Sequence, residues 1–321
     1  GTITTNITEG FTTSASAATG SNQTITFDTL GDGTYADKTI TVTDAAGNAS
    51  SLTLTTFVID TTPPTITNVT SSTANGVFTT GDEISIQVTL SESVTVVGTP
   101  ILTLETGSSD TNATYSSGSG SDTLTFNYTV LSTDNNCDLD YSSTSSLSVS
   151  GASSIKDSAG NNSTLTLQSP GSNGSLGANK ALVVDNTAPS ISVQNVTVNV
   201  GSGEVTLSAS DFDNGTSDAC DSSLTYQITS GTFNCSDVGT TQSGLLRATD
   251  DAGNYSEAVY TVTVVDTTVP VIALVGSNTV EVERLATYND AGATATDTCD
   301  GTLTSSIVTT SNVNTSVVGS Y

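Results

Sequence analysis

A period of two runs through this chain. Lys38–Val42 (KTITV), Ser51–Thr55 (SLTLT), Glu83–Leu90 (EISIQVTL), Thr123–Val130 (TLTFNYTV), Glu204–Ala209 (EVTLSA) and Val259–Val265 (VYTVTVV) set β-branched or apolar residues against Thr, Ser or Gln. Successive side chains of a strand point to opposite faces, so each run predicts a strand with one buried and one wet face. No helical period competes with it. Punctuation then recurs. Asp60-Thr-Thr-Pro-Pro64, Asp185-Asn-Thr-Ala-Pro189 and Asp266-Thr-Thr-Val-Pro270 each follow a Val-Ile or Val-Val pair, and such repetition marks module boundaries. A second recurring element, Asp-x-Ala-Gly-Asn, stands at Asp44–Asn48, Asp157–Asn161 and Asp250–Asn254. In its first and third copies it separates two alternating runs, as the last hairpin of a module does. The middle copy is followed by a polar insertion at Gln168–Asn179. The expected modules are 1–59, 60–184, 185–265 and 266–321, the first without its opening strands and the last without its closing hairpin, as in an excerpt of a longer exported protein.

Composition limits what such modules do. The chain has 321 residues with 32 acidic and 5 basic side chains, a net charge of −27, and no His, Met or Trp. Lys38, Lys156, Lys180, Arg247 and Arg284 are too few and too scattered to release phosphate counterions, so no nucleic-acid partner is expected. An anionic membrane surface is excluded on the same ground. Without His there is no Ser-His-Asp or Cys-His pair and no His-ligated zinc. Apolar residues make up only 34%, so each core must be small and thin. No stretch approaches the roughly 20 apolar residues that span a bilayer, so direct membrane insertion is not expected. Four Cys, the lack of Met and the charge imbalance suit the outside of a cell.

Residues 60–184, through Gly81-Asp-Glu-Ile84, Leu90-Ser-Glu-Ser93, Gly98-Thr-Pro-Ile-Leu-Thr-Leu-Glu105 and Lys156-Asp-Ser-Ala-Gly-Asn161, resemble a bacterial immunoglobulin-like repeat of giant surface adhesins. Residues 185–265 resemble a hyalin-type (HYR) repeat, through Asp211-Phe-Asp-Asn-Gly215, Asp218-Ala-Cys220, Phe233-Asn-Cys235 and Asp250-Asp-Ala-Gly-Asn254. Residues 266–321 are similar to a further bacterial Ig-like module, with Tyr288-Asn-Asp-Ala-Gly-Ala293 and Thr296-Asp-Thr-Cys-Asp-Gly301. The mixture resembles the long gliding-motility and adhesion proteins of Bacteroidetes-type bacteria. The resemblance implies an all-β fold of tandem immunoglobulin-like β-sandwich modules in an extended rod at the bacterial cell surface.

Candidate chemistry lies in the carboxylates, of which 24 of the 32 are Asp. In an Ig-like sandwich the last hairpin and an early loop share the N-terminal end of the module. The Asp60 boundary then gathers Glu92 and Asp157. Asp185 gathers Asp211, Asp213, Asp218, Asp250 and Asp251, and Asp266 gathers Asp290, Asp297 and Asp300. Carboxylates converging in this way repel one another unless a hard cation joins them, and Ca²⁺ takes six to eight oxygens. Asp is also a good turn residue and an acidic surface keeps a secreted repeat soluble, so plain solvated turns remain the alternative.

Cys220 and Cys235 lie within one module and are expected to pair, a bridge contributing about 3 kcal/mol in the chain-entropy model, with two unpaired thiols as the alternative. Cys299 is expected to bond beyond residue 321, and Cys137 to be free or crosslinked between chains. Asn-x-Ser/Thr sequons such as Asn22 and Asn68, and Asp-Ser/Thr sites such as Asp28, occur at the frequency chance allows in so Ser/Thr-rich a chain. Paired acids can serve a glycosidase, but Trp is absent and aromatics are only 5%, so no enzyme is expected. The expected partners are neighbouring modules of the same longer chain and an unknown surface ligand. A carbohydrate- or protein-binding module and a filament or sheath subunit are the alternatives to a non-catalytic adhesin stalk.

Overall fold

The computed structural model describes residues 1–7, 11–13, 25–27 and 29–320, so Asn22 and Asp28 lie outside the described residues. The chain divides into two compact units, Gly1–Asn186 and Thr187–Tyr321. Both are built of strands. The two α-helices and two 3₁₀ turns among the described residues have three or four residues each, and no helix is long and apolar enough to cross a membrane.

In the first unit the alternating runs become ladders. Thr39–Thr43 pairs antiparallel with Thr2–Thr5 and Ala49–Thr53, and Gly33–Tyr35 pairs with Phe57–Ile59. The larger sheet is organised by one long strand, Glu83–Val97. Its first half pairs with Ser121–Thr129 on one side and Ile66–Ser71 on the other, and its end pairs with Ser154–Lys156. Cross-strand partners Ile84 and Tyr128, Ile86 and Phe126, Val88 and Leu124 are all fully buried, so the period-two pattern lines one core face. The ladder to Ser121–Thr129 slips between Thr89 and Val94. The strand bends there. One hydrophobic cluster runs from Val69 through Leu102, Phe126, Leu139 and Ile155 to Leu182, so this sheet wraps around a single core. Leu182–Val184 then closes the sandwich by pairing in parallel with Gly76–Phe78.

A carboxylate is buried beneath this core. Asp134 accepts from the Tyr128 hydroxyl at 2.7 Å, the Leu131 amide at 2.9 Å and the Thr111 hydroxyl at 3.1 Å. Burial, with the hydrogen bond to Asp134, pushes the Tyr128 hydroxyl well above the usual tyrosine range.

The Asp-x-Ala-Gly-Asn motif folds the same way three times. The Asp44, Asp157 and Asp250 amides donate to the Asn48, Asn161 and Asn254 carbonyls, and Gly47, Gly160 and Gly253 donate back to the Asp carbonyls. Each glycine sits at φ between 88° and 97°, a conformation an L side chain resists, which is why the fourth position is Gly. Asp Oδ1 accepts the Asn amide in each copy, and the Asn side chain donates to Oδ2.

The second unit centres on a four-stranded sheet. Tyr255–Val265 lies between Val196–Asn199, parallel to it, and Thr241–Thr249, which pairs in turn with Thr225–Ile228. Phe212 stacks on Tyr260 within its core. The Tyr260 ring lies directly over Gly244, where a Cβ would collide with it. The run Glu204–Ala209 forms a strand only at Val205–Thr206, because Ser208 and Asp211 form a capping box that opens a short helix, Ala209–Phe212. A separate antiparallel sheet contains Val271–Leu274, Ala293–Asp297 and Gly301–Thr302.

The expected Cys220–Cys235 bridge is not formed. Cys235 bonds to Cys299 instead, with Cα atoms 4.9 Å apart. Cys235 opens a 3₁₀ turn, Cys299 lies in the Asp297–Asp300 turn, and both sulfurs lie near the Val200 carbonyl oxygen, at 3.9 and 3.4 Å. Spacing along the sequence carries no sign of that convergence. Cys137 and Cys220 are disulfide-bonded too, so neither the free Cys137 nor the outward-bonded Cys299 of the sequence reading is found.

Asp134→Ala leaves the buried Tyr128 hydroxyl without its acceptor and removes the acceptor of the part-buried Leu131 amide, so it should cost about 2 to 3 kcal/mol, whereas Tyr128→Phe should cost about 1 kcal/mol. Urea unfolding of the full chain measures both. A loss below about 1 kcal/mol for Asp134→Ala would show that the network bears little load.

Candidate metal centre

The linker Asp60–Pro64 is held from both sides within the first unit. Asp60 Oδ1 accepts from the Thr62 amide at 3.0 Å, an Asx turn. Upstream, Asp32 accepts from the Thr61 amide at 3.0 Å and the Thr61 and Thr62 hydroxyls at 2.8 and 2.9 Å. The hydroxyls of Thr61 and Thr62 hold the Asp32 carboxyl below its usual range. Downstream, the Asn161 side chain donates to the Asp60 carbonyl at 3.0 Å and to Asp157 Oδ2 at 2.7 Å. The hairpin turn is thereby tied to the linker, and Asp157 is brought to Asp60.

Glu92 completes the group. It stands in phase with buried Leu90 and Val94 on the Glu83–Val97 strand, at the bend where the ladder slips. The residue is half-buried there. One carboxylate oxygen each from Asp60, Glu92 and Asp157 lies within 4.8 Å of the other two. Burial, then the charges of Asp60 and Asp157, push the Glu92 carboxyl up. Burial also acts upward on Asp157, but the hydrogen bonds from Asn161 and from the Gly160 and Ala159 amides outweigh it and hold that carboxyl low. No Lys or Arg neutralises the group: among the described residues the one ion pair is Arg247 with Glu257, at 2.8 Å. Three carboxylates offer six oxygens, with lone pairs left after the turn hydrogen bonds. An all-oxygen, anionic donor set without His or thiolate suits a hard cation such as Ca²⁺.

Asp185 is buried at the end of the first unit, its amide donating to the Phe78 carbonyl. In the second unit Asp218 and Asp250 bring carboxylate oxygens within 4.8 Å of each other. Asp211 caps Ser208 through Oδ2, with contacts of 2.7 and 2.8 Å that lower its pKa. Asp213, Asp266 and Asp290 accept local turn amides from Thr216, Thr268 and Gly292. The Asp251 amide donates to Asp221. Asp297 Oδ1 accepts from the Cys299 and Asp300 amides. None of these six, nor Asp300, joins a group of three carboxylates among the described residues.

Asp32, Asn161 and Asn199 are the residues that sequence reasoning passed over. Asn199 holds the Asp266 linker as Asp32 holds the Asp60 linker, donating to the Thr267 hydroxyl at 2.7 Å and accepting its amide at 3.2 Å. The signal available was the Thr of each Asp-Thr-Thr linker, a donor waiting for a short polar side chain.

Residues 272–321 match the family described as bacterial surface protein, Ig-like domain. Among solved structures the chain is similar to the protocadherin GammaB4 extracellular domain, at 13% identity and a TM-score of 0.31, with 92% of this chain and 50% of that one covered. It is also similar to SGBP-B of the Bacteroides ovatus mixed-linkage glucan utilization locus, solved with a mixed-linkage heptasaccharide, at 15% identity and a TM-score of 0.15, with 87% and 63% covered. The chain thus spans half the length of the protocadherin structure. No curated protein matches it. The chain is nearly all-β, and its match to the bacterial surface Ig-like family is confined to residues 272–321.

A raised Glu92 pKa means that deprotonating Glu92 costs the metal-free folded state more than the unfolded chain. Its contribution is favourable below the ordinary glutamate value of 4.5 and is lost as pH rises through the raised value. Metal-free protein should therefore gain stability as pH falls from neutrality toward 4.5, and Glu92→Gln should remove part of that gain. Melting curves in chelator across this window check it; identical pH slopes for the two proteins would count against the cluster.

Proposed function

We propose that the chain is a non-catalytic stalk segment of a bacterial cell-surface adhesin, and that Ca²⁺ bound by Asp60, Glu92 and Asp157 stiffens the linker at Asp60–Pro64. The surface assignment rests on the family match over 272–321. Calcium rests on one observation, three carboxylates within 4.8 Å of one another where Glu92 carries the electrostatic cost. Asp60 belongs to the linker, Glu92 to the long strand and Asp157 to the hairpin turn, so an ion bound by all three would join three elements that otherwise meet through hydrogen bonds. Disulfides and the exposed, strongly acidic surface suit an exterior setting. The gliding-motility role implied by the resemblance is part of the same proposal and rests on that resemblance alone.

Glu92 separates calcium from plain solvation by the sign of its effect. In EGTA, Glu92→Gln should melt no lower than the parent, because it removes repulsion among the three acids. In about 10 mM calcium the parent should gain about 1.4 to 2.7 kcal/mol from this site, given the 10⁻⁴ to 10⁻³ M dissociation constants usual for extracellular modules. Glu92→Gln should lose most of that gain. Calorimetric titration and melting of the full chain measure both arms. An equal calcium response from parent and variant, or a variant already weaker in EGTA, would sink the metal reading and leave a solvated turn.

A further inference from the structure

Residues 271–320 have almost no core of their own. Among the described residues of that stretch, Ala295 is the one buried apolar side chain, while Val271, Ile272 and Leu274 of its first strand are 68, 67 and 57% exposed. Fully burying an aliphatic side chain is what ordinarily holds a strand in place, and this strand lacks that support. One side chain from the stretch does reach a core. Cys299 packs against the cluster of Val198, Val200, Phe212, Phe233 and Tyr260 in the preceding sandwich, and there it is bonded to Cys235. The turn that carries Cys299 is itself rigid, since Asp297 Oδ1 accepts the Cys299 amide at 2.8 Å and the Asp300 amide at 3.1 Å. Asp297 Oδ2 in that turn is buried without any hydrogen-bond partner, which costs stability where it sits. Weak burial and an unpartnered carboxylate oxygen both argue that non-covalent packing alone does not hold the stretch.

We propose that the Cys235–Cys299 bond is the anchor of the family-matched stretch 272–321: it plugs the Asp297–Asp300 turn into the core of the 187–265 sandwich, and the strands Val271–Leu274 and Ala293–Asp297 keep their order only while it is intact. A dithiol such as dithiothreitol supplies two electrons and two protons, leaves as its cyclic disulfide, and converts the bridge to two thiols. The sandwich keeps its own core and does not depend on the bond.

Hydrogen exchange followed by mass spectrometry on the full chain tests this. In Cys235→Ser with Cys299→Ser, amides of 271–274 and 293–302 should exchange at least about tenfold faster, while those of 241–249 and 255–265 stay within about twofold of the parent. Unchanged protection of 271–302 would overturn the proposal, since packing would then suffice. Loss of protection across 241–265 as well would also overturn it, because the bond would then support the whole unit. Parent protein treated with graded dithiothreitol under native conditions gives a second reading that needs no variant to fold. Peptide mapping of unreduced parent must recover Cys235 linked to Cys299; any other pairing refutes the anchor directly.

Discussion

The first unit turns on one side-chain amide. Asn161 Nδ2 donates to the carboxylate of Asp157 in its own turn and to the carbonyl of Asp60 in the linker. Through it the last hairpin and the linker are fixed to each other, and two carboxylates are held close together. The turn that presents Asn161 exists because Gly160 adopts a positive φ and because Asp157 accepts the amides that would otherwise lack partners. Glu92 arrives by a separate route, the bend of the long strand. A cation at this place would depend on these two backbone features.

Thin cores shift the work of positioning onto short polar side chains. Asp32 and Asn199 clamp linkers, Ser208 with Asp211 and Asn234 with Asp237 cap short helical turns, and Asp134 ties a hydroxyl and an amide beneath the largest core. A hydrogen bond of this kind contributes about 1 kcal/mol net, comparable to burying one more methylene. The abundance of Asp, Asn, Ser and Thr is thus structural chemistry. Its electrostatic consequence is a chain of net charge −27 in which few acids meet a base. Screening by solvent makes this tolerable at the surface, and burial beside like charges makes it costly at Glu92.

The same economy explains the Cys235–Cys299 bond. Where a sheet has an exposed face and one buried alanine, a covalent bond into a neighbouring core replaces the missing apolar contact. Cys235 and Cys299 converge on the Val200 carbonyl because the 3₁₀ turn after Phe233 and the Asp297–Asp300 turn pack against the same end of the sandwich. Asp211, by contrast, is drawn away from any ligand set by a local capping box whose partner is only three residues off.

Period-two alternation, the Asp-x-Ala-Gly-Asn turns and the all-β class were determined by the sequence itself, because strand pleat and turn geometry are local and need only a few neighbouring residues. Glu92 with Asp60 and Asp157 was also legible, since a linker, an early strand and a final hairpin share one end of a sandwich. Tertiary structure alone decided the partner of Cys235 and the clamps made by Asp32 and Asn199. Each depends on which turns meet in space across tens of residues, and that is set by how sheets pack around a core, a relation with no period and no spacing to read along the chain.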